Sequence, residues 1–159
     1  MRNHLIVVGV DGSEGGRRAL GWAAHEAAGR DTAVQAVMAW HWDGIEAEVI
    51  TATSPEEERQ QAAKVLDREL SAVIAEHGSH LPIAAELIEG SPAEVLTEAA
   101  RSADLLVLGS HGHSGLLHRV LGSVSGTCIR KAGCPVVVVP PGAGTARPDR
   151  DPAVRTAAA

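Results

Sequence analysis

The chain contains no phenylalanine and no tyrosine, and its aromatic content is three tryptophans. A core must therefore be assembled from Ala, Val, Leu and Ile. Alanine-rich helices can lie close to a sheet, which suits a layered α/β structure. Cysteine is also scarce: Cys128 and Cys134 are the only two. Two are too few for a disulfide framework and lack metal-site spacing. Reduced, buried or half-buried thiols are expected, with a redox switch as the alternative. Lysine occurs only at positions 64 and 131, and acids outnumber Lys plus Arg by 20 to 14, a net charge of −6. That balance argues against a nucleic-acid backbone or an anionic membrane as partner. No apolar run approaches the ~20 residues of a membrane span. Met1-Arg-Asn-His4 leads straight into a strand pattern, without the apolar core of a signal peptide. The expected location is the cytoplasm.

What is present is an alternation of strand and helix patterns. At 159 residues a single domain is expected. Leu5–Val10 is a continuous apolar run, as a strand covered on both faces should be. Ser13 caps a predicted helix to about Ala28, with Gly29 as its stop. Ala33–Ala39 is a second strand, and residues 43–53 form a loop or irregular segment. Ser54-Pro-Glu-Glu57 is a capping box that opens a helix to His77, with Ala63, Leu66, Leu70, Val73 and Ile74 facing inward. Leu81–Ile88 is a third strand. Ser91-Pro-Ala-Glu94 repeats the capping-box pattern before another helix. Asp104–Leu108 and Val136–Val139 complete the strands. After Pro141 the composition turns to Gly, Ala, Pro, Arg and Asp, which predicts a disordered tail over 142–159. Strands separated by helices pair in parallel through right-handed crossovers. The pattern therefore gives an open five-stranded α/β sheet.

The chemistry is concentrated after strand four. Leu105-Leu-Val-Leu108 runs into Gly109-Ser-His-Gly112, and nine residues later Gly122-Ser123 opens a helix. Glycines let a backbone approach a phosphate without a Cβ in the way. The free N–H groups and positive dipole end of the new helix then face the anion. Ser123 and Ser125 can add hydroxyl donors. The ligand class this implies is phosphate-bearing, and in an α/β sheet that usually means a nucleotide. The spacing excludes several alternatives. No G-x-x-x-x-G-K-[ST] phosphate loop is present, and the first strand is not followed by G-x-G-x-x-G. Gly122-Ser-Val-Ser-Gly126 has Val124 where a nucleophile elbow needs serine.

The Gly-x-x-Gly, nine residues, Gly-Ser pattern resembles the ATP-binding signature of universal stress proteins. The resemblance extends to Leu5-Ile-Val-Val-Gly-Val-Asp11-Gly-Ser13, to a second strand ending near Ala39-Trp40, and to Cys134-Pro-Val-Val-Val-Val139. It covers residues 1–141, the expected domain. It implies the strand order 3-2-1-4-5, helices on both faces, and an adenine nucleotide α-hydrolase-like fold. Strands 1 and 4 are then neighbours whose connections diverge, and ligands bind outside the strand ends at such a switch point. The implied nucleotide contacts are Val10 and Asp11 after strand 1 and Ala39 at the end of strand 2. Gly109, Ser110, Gly112 and His113 follow from the loop, and Gly122, Ser123, Val124 and Ser125 from the helix start. The implied ligand is ATP with Mg²⁺, and the implied assembly is a homodimer through strand 5. The expected role is nucleotide-dependent stress regulation with an unidentified protein partner. A slow ATPase and a nucleotide-free interaction protein are the alternatives. An ATP pyrophosphatase-like relative would need S-G-G-x-D-S after strand 1, where Asp11-Gly-Ser-Glu-Gly-Gly16 stands.

The remaining candidates have simpler readings. Asp11 can accept a ribose hydroxyl or contact the metal-phosphate group, or else bond its own turn at Gly12-Ser13. His111, His113 and His118 cluster in the loop but lack the ligand count of a zinc site. His113 and Arg119 offer positive character to phosphate. Trp40 lies beside the implied adenine position, yet core or interface packing is the expected role of Trp22, Trp40 and Trp42. Glu56–Glu58 fit helix-dipole and capping chemistry.

Overall fold

The computed structural model describes residues 4–42, 53–111 and 121–142. Within them five strands alternate with four α-helices: β1 His4–Gly9, α1 Glu14–Ala27, β2 Thr32–Trp40, α2 Pro55–His77 and β3 Ile83–Glu89 come first. α3 Pro92–Ala99, β4 Leu105–Gly109, α4 Ser123–Lys131 and β5 Val136–Val139 follow, with one 3₁₀ turn after α3. All pairings are parallel and the strand order is β3-β2-β1-β4-β5, as expected. β1 lies at the centre, with Val8 opposite Ala36 of β2 and Val107 of β4.

The period of two along β1 divides the core. Ile6, Val8 and Val10 pack under α1 and α2, with Leu20, Ala23, Ala24, Leu66 and Val73. Val7 points the other way, joining Val37, Leu106 and Leu108 beneath Val95, Leu96 and Cys128 of α3 and α4. Alternate side chains of a strand point to opposite faces, so a run without polar interruption requires cover on both. Fully buried alanines at 19, 23 and 24 bring α1 against the sheet. Trp22 and Trp40 are partly buried against this same layer. Cys128 is buried and Cys134 half-buried, both free thiols.

The element ends depart from expectation by a residue or two. β3 starts at Ile83, after a turn in which Leu81 N donates to Gly78 O; Pro82 has no N–H to give, although its carbonyl already accepts from Val34 N of β2. The buried residues of α2 are Ala62, Leu66, Glu69 and Val73, and the expected Leu70 and Ile74 pack partly buried against the same core. The capping box of α2 is complete, with Ser54 Oγ accepting from Glu57 N and Ser54 N donating to Glu57 Oε2. The second expected box does not form: Ser91 makes no side-chain cap bond. The chain enters α3 from Gly90, whose φ is 147°, with Ser91 itself extended. The expected irregular segment lies almost wholly outside the described residues, and so does the tail from residue 143 onward.

Candidate functional site

β1 and β4 are neighbours, but the chain leaves them in different directions, β1 toward α1 and β4 toward α4. A cleft of about 290 Å³ opens at their C-terminal ends. One side is formed by Val10, Asp11, Ser13 and Gly16, where β1 turns into α1. The other is Gly109, His111 and the start of α4 at Gly122 to Ser125. The floor and side wall are apolar: Val37 and Ala39 of β2, Pro92 and Leu96 of α3, and Leu108 of β4.

The first loop is built around two side chains. Asp11 Oδ1 accepts from Ser13 N at 2.9 Å and also from the Ser13 hydroxyl. Ser13 Oγ in turn accepts from Gly16 N at 3.1 Å, capping α1. Gly12 between them has φ of 78°, the left-handed region where a Cβ is strained. Asp11 therefore makes the turn contacts and also lines the cleft. Its carboxylate is the only formal side-chain charge among the described lining residues apart from the titratable His111.

The second loop approaches the first backbone to backbone. A Cβ on Gly109 would sit 2.6 Å from Gly15 O, and one on Gly15 would strike His111 O. Only glycine at both positions allows the loops to close into one cleft. Ser110 is buried behind the wall: its N–H donates to Val139 O, and its carbonyl accepts from Gly122 N at 2.9 Å. Ser125, also buried, donates its hydroxyl to Gly109 O at 2.7 Å. That hydroxyl thus ties α4 to the end of β4, and its hydrogen is already committed there. α4 starts at Gly122 with no side-chain cap, so its first-turn N–H groups point at the cleft without a competing side chain.

Of the residues singled out in the sequence, Val10, Asp11, Ala39, Gly109, Gly122, Ser123, Val124 and Ser125 line this one cleft. Ser110 supports it from behind, and Gly112 and His113 lie outside the described residues. Trp40 is not among the lining residues and packs into the core layer, while Trp42 donates its indole N–H to Thr53 O at 2.9 Å. Sequence reasoning missed the apolar wall from Val37, Pro92, Leu96 and Leu108, and it missed His111. The His111 ring Nδ1 is 3.0 Å from Ser110 Oγ, and its Nε2 is buried with no partner among the described residues. A polar atom left in that state faces a cost unless something in the cleft satisfies it. Among the described residues no group of three or more His, Cys, Asp or Glu is placed to hold a metal by itself.

A sequence profile of the universal stress protein family matches residues 3–140. The chain belongs to that family. A universal stress protein of Mycobacterium tuberculosis is 33% identical over 149 residues, taking in 87% of this chain and 48% of that protein. This member thus spans about half the length of the curated relatives it matches. Among solved structures, a universal stress protein in complex with cAMP is 25% identical with a TM-score of 0.65, covering 86% of this chain and 96% of that one. The universal stress protein from Archaeoglobus fulgidus in complex with dAMP is 25% identical with a TM-score of 0.62, covering 87% and 98%. Among the described residues of this family member, no helix is long and apolar enough to cross a membrane.

Proposed function

We propose that this chain is an adenine-nucleotide-binding regulatory domain that takes ATP with Mg²⁺ in the β1–β4 cleft and works as a homodimer. The observation that carries the reading is the pairing, in one cleft, of an apolar slot with an uncapped helix N-terminus. The slot of Val37, Ala39, Pro92, Leu96 and Leu108 suits the flat face of a base. The N–H groups at the start of α4 suit phosphate oxygens. Relatives of known structure are in complex with cAMP and dAMP, which supports the adenine assignment.

The donor set suits magnesium travelling with the nucleotide. Asp11 supplies a carboxylate and Ser123 a hydroxyl, the hard oxygen ligands that Mg²⁺ takes alongside phosphates. Bound there, the ion would neutralise phosphate charge that the chain itself does little to offset. No lysine or arginine is among the described lining residues. Efficient phosphoryl transfer relies on such cations and on a positioned base. Turnover should accordingly fall well below the roughly 1–100 per second of kinases.

The test begins by denaturing the purified protein and identifying any released nucleotide by chromatography. Titration calorimetry then compares ATP binding in wild type, Gly122→Val and Asp11→Ala. A Cβ at Gly122 lies 3.2 Å from Ser110 O, a tight contact to which the two further carbons of valine add bulk at the cleft. Binding should be abolished in Gly122→Val and weakened by about 1–3 kcal/mol in Asp11→Ala. Undiminished affinity in Gly122→Val would overturn the assignment.

A further inference from the structure

Glu69 is a buried carboxylate that no part of the nucleotide reading uses. It sits in the middle of α2, 4% exposed, on the face turned toward α1. Burying a carboxylate is costly unless it is paired and hydrogen-bonded. Two guanidiniums do this. Arg17 of α1 donates its Nε to Glu69 Oε2 at 2.8 Å, and Arg68 Nη2 lies 3.2 Å from Oε1. Glu69 in turn raises the Arg17 pKa above its ordinary value, by hydrogen bonding first and charge second.

Arg17 has a further contact. Its Nη2 is 3.4 Å from the carbonyl oxygen of Gly12. Gly12 is the residue in the left-handed conformation between Asp11 and Ser13, both of which line the cleft. α2 also packs on the loop directly: a Cβ on Gly12 would lie 2.7 Å from Val65 Cγ1. Neither Arg17 nor Glu69 lines the cleft. From α2 to the cleft there is thus a short continuous chain of contacts: Glu69, Arg17, Gly12, Asp11.

We propose that Glu69 and Arg17 are positioning residues for the nucleotide site, holding the Asp11–Ser13 turn in its binding geometry and coupling α2 to occupancy of the cleft. The inference rests on the functional reading above. The guanidinium fork is the part that matters. It binds a carboxylate on one element and a carbonyl on another through separate nitrogens, which an ammonium cannot reproduce in the same geometry. By linkage, any partner that shifts α2 must alter nucleotide affinity, and nucleotide must alter α2 by the same factor.

The experiment measures ATP dissociation constants and ligand-free melting temperatures for wild type, Glu69→Gln and Arg17→Lys, each also in an Asp11→Ala background. Arg17 is half-exposed, so Arg17→Lys should fold even where Glu69→Gln does not. In the intact background each variant should weaken ATP binding by about five- to tenfold. In the Asp11→Ala background the same changes should have little effect, because the turn they hold no longer carries the carboxylate. Hydrogen exchange of the wild type should show ATP slowing exchange in α2, and Arg17→Lys should lose that protection. A melting temperature that falls while ATP affinity stays at the wild-type value would mean the pair only holds helices together, and the inference would be overturned. Equal losses of affinity with and without Asp11 would also overturn it. A wild type that binds no adenine nucleotide would overturn the functional reading, and the inference with it. A wild type that binds while both variants bind equally well would overturn the inference alone.

Discussion

Gly15 is the second residue of α1, and within helices alanine is normally preferred to glycine, by about 1 kcal/mol in the interior. Here the sign should reverse. A Cβ at that position strikes His111 O, and the neighbouring Gly109 is just as tightly placed against Gly15. Gly15→Ala should therefore destabilise the protein by about 1–3 kcal/mol, as overpacking does, and also weaken nucleotide binding by separating the two loops. Gly126 in α4 is the matched control. Its Cβ would meet only the end of Arg130 at 3.6 Å, an ordinary contact. Gly126→Ala should stabilise by about 0.5–1 kcal/mol with ATP affinity unchanged. Thermal melts and calorimetry of the two variants check both signs, and two stabilised variants would show that the loops can part freely. The same residues mark what could be seen in sequence. Gly109, Gly122 and Ser123 stand in a spaced motif and were legible. Gly15 was not, because its requirement comes from a backbone far along the chain. His111 looked like one of several loop histidines, and only the fold shows its Nε2 buried at the cleft. The hydroxyl of Ser125 had the opposite fate: it looked like a phosphate donor and is committed to Gly109 O.

Two helices of this protein begin with the same Ser-Pro-x-Glu pattern, and only one uses it. Ser54 accepts from Glu57 N and Glu57 reaches back to Ser54 N, whereas Ser91 makes no cap bond. Ser54→Ala should cost about 0.5–2 kcal/mol, and Ser91→Ala should stay within roughly 0.5 kcal/mol. Denaturant melts of the two variants distinguish them, and equal costs would contradict the difference in capping. The first turn of α2 also carries a pH signature. Hydrogen bonds from Arg59, then from Gln60, draw Glu56 down from its ordinary 4.5 to about 2. A carboxyl whose folded pKa is depressed contributes above its unfolded pKa and loses that contribution as pH falls through the folded one. Its share in holding the α2 start should thus be intact above 4.5 and disappear toward about 2. Carbon-detected titration of the Glu56 carboxyl should show it ionised well below the usual glutamate range. The type of each strand and α-helix among the described residues was legible, because runs covered on both faces and helical stripes have different periods, while the 3₁₀ turn at Ala100–Ser102 was not. The ends were less so. The same Ser-Pro-x-Glu pattern caps at Ser54 and not at Ser91, a difference that the residues themselves do not carry. Glu69 was invisible for a related reason: a charged residue on a helix reads as solvent-facing until its guanidinium partners are placed beside it.

At the scale of the whole molecule, the sheet ends on β5, and among the described residues no further strand pairs with its outer edge. Val136 to Val139 make that edge apolar, with unpaired backbone groups that invite another strand. α4, which touches β5, carries an exposed Ile129 at 48%. A second copy related by a two-fold axis would satisfy the edge in both chains at once, because such an interface is self-complementary. The β4 ladder shows which backbone groups are available for this. Leu106 N donates to Pro135 O, and Ser110 N to Val139 O. Backbone groups alternate between the two sides of a strand, so positions 135, 137 and 139 face β4 while 136 and 138 face outward. Proline at 138 would remove one outward N–H and leave the inward ladder in place, as edge-strand prolines do. Wild type should sediment as a dimer at tens of micromolar, and Val138→Pro should sediment as a folded monomer with an unchanged far-ultraviolet spectrum. Because each cleft lies within one chain, the monomer should still bind ATP. A wild type that is monomeric at that concentration would count against the edge-to-edge dimer. A dimer that survives Val138→Pro would place the interface on another surface, with the exposed Ile129 side of α4 the first to test.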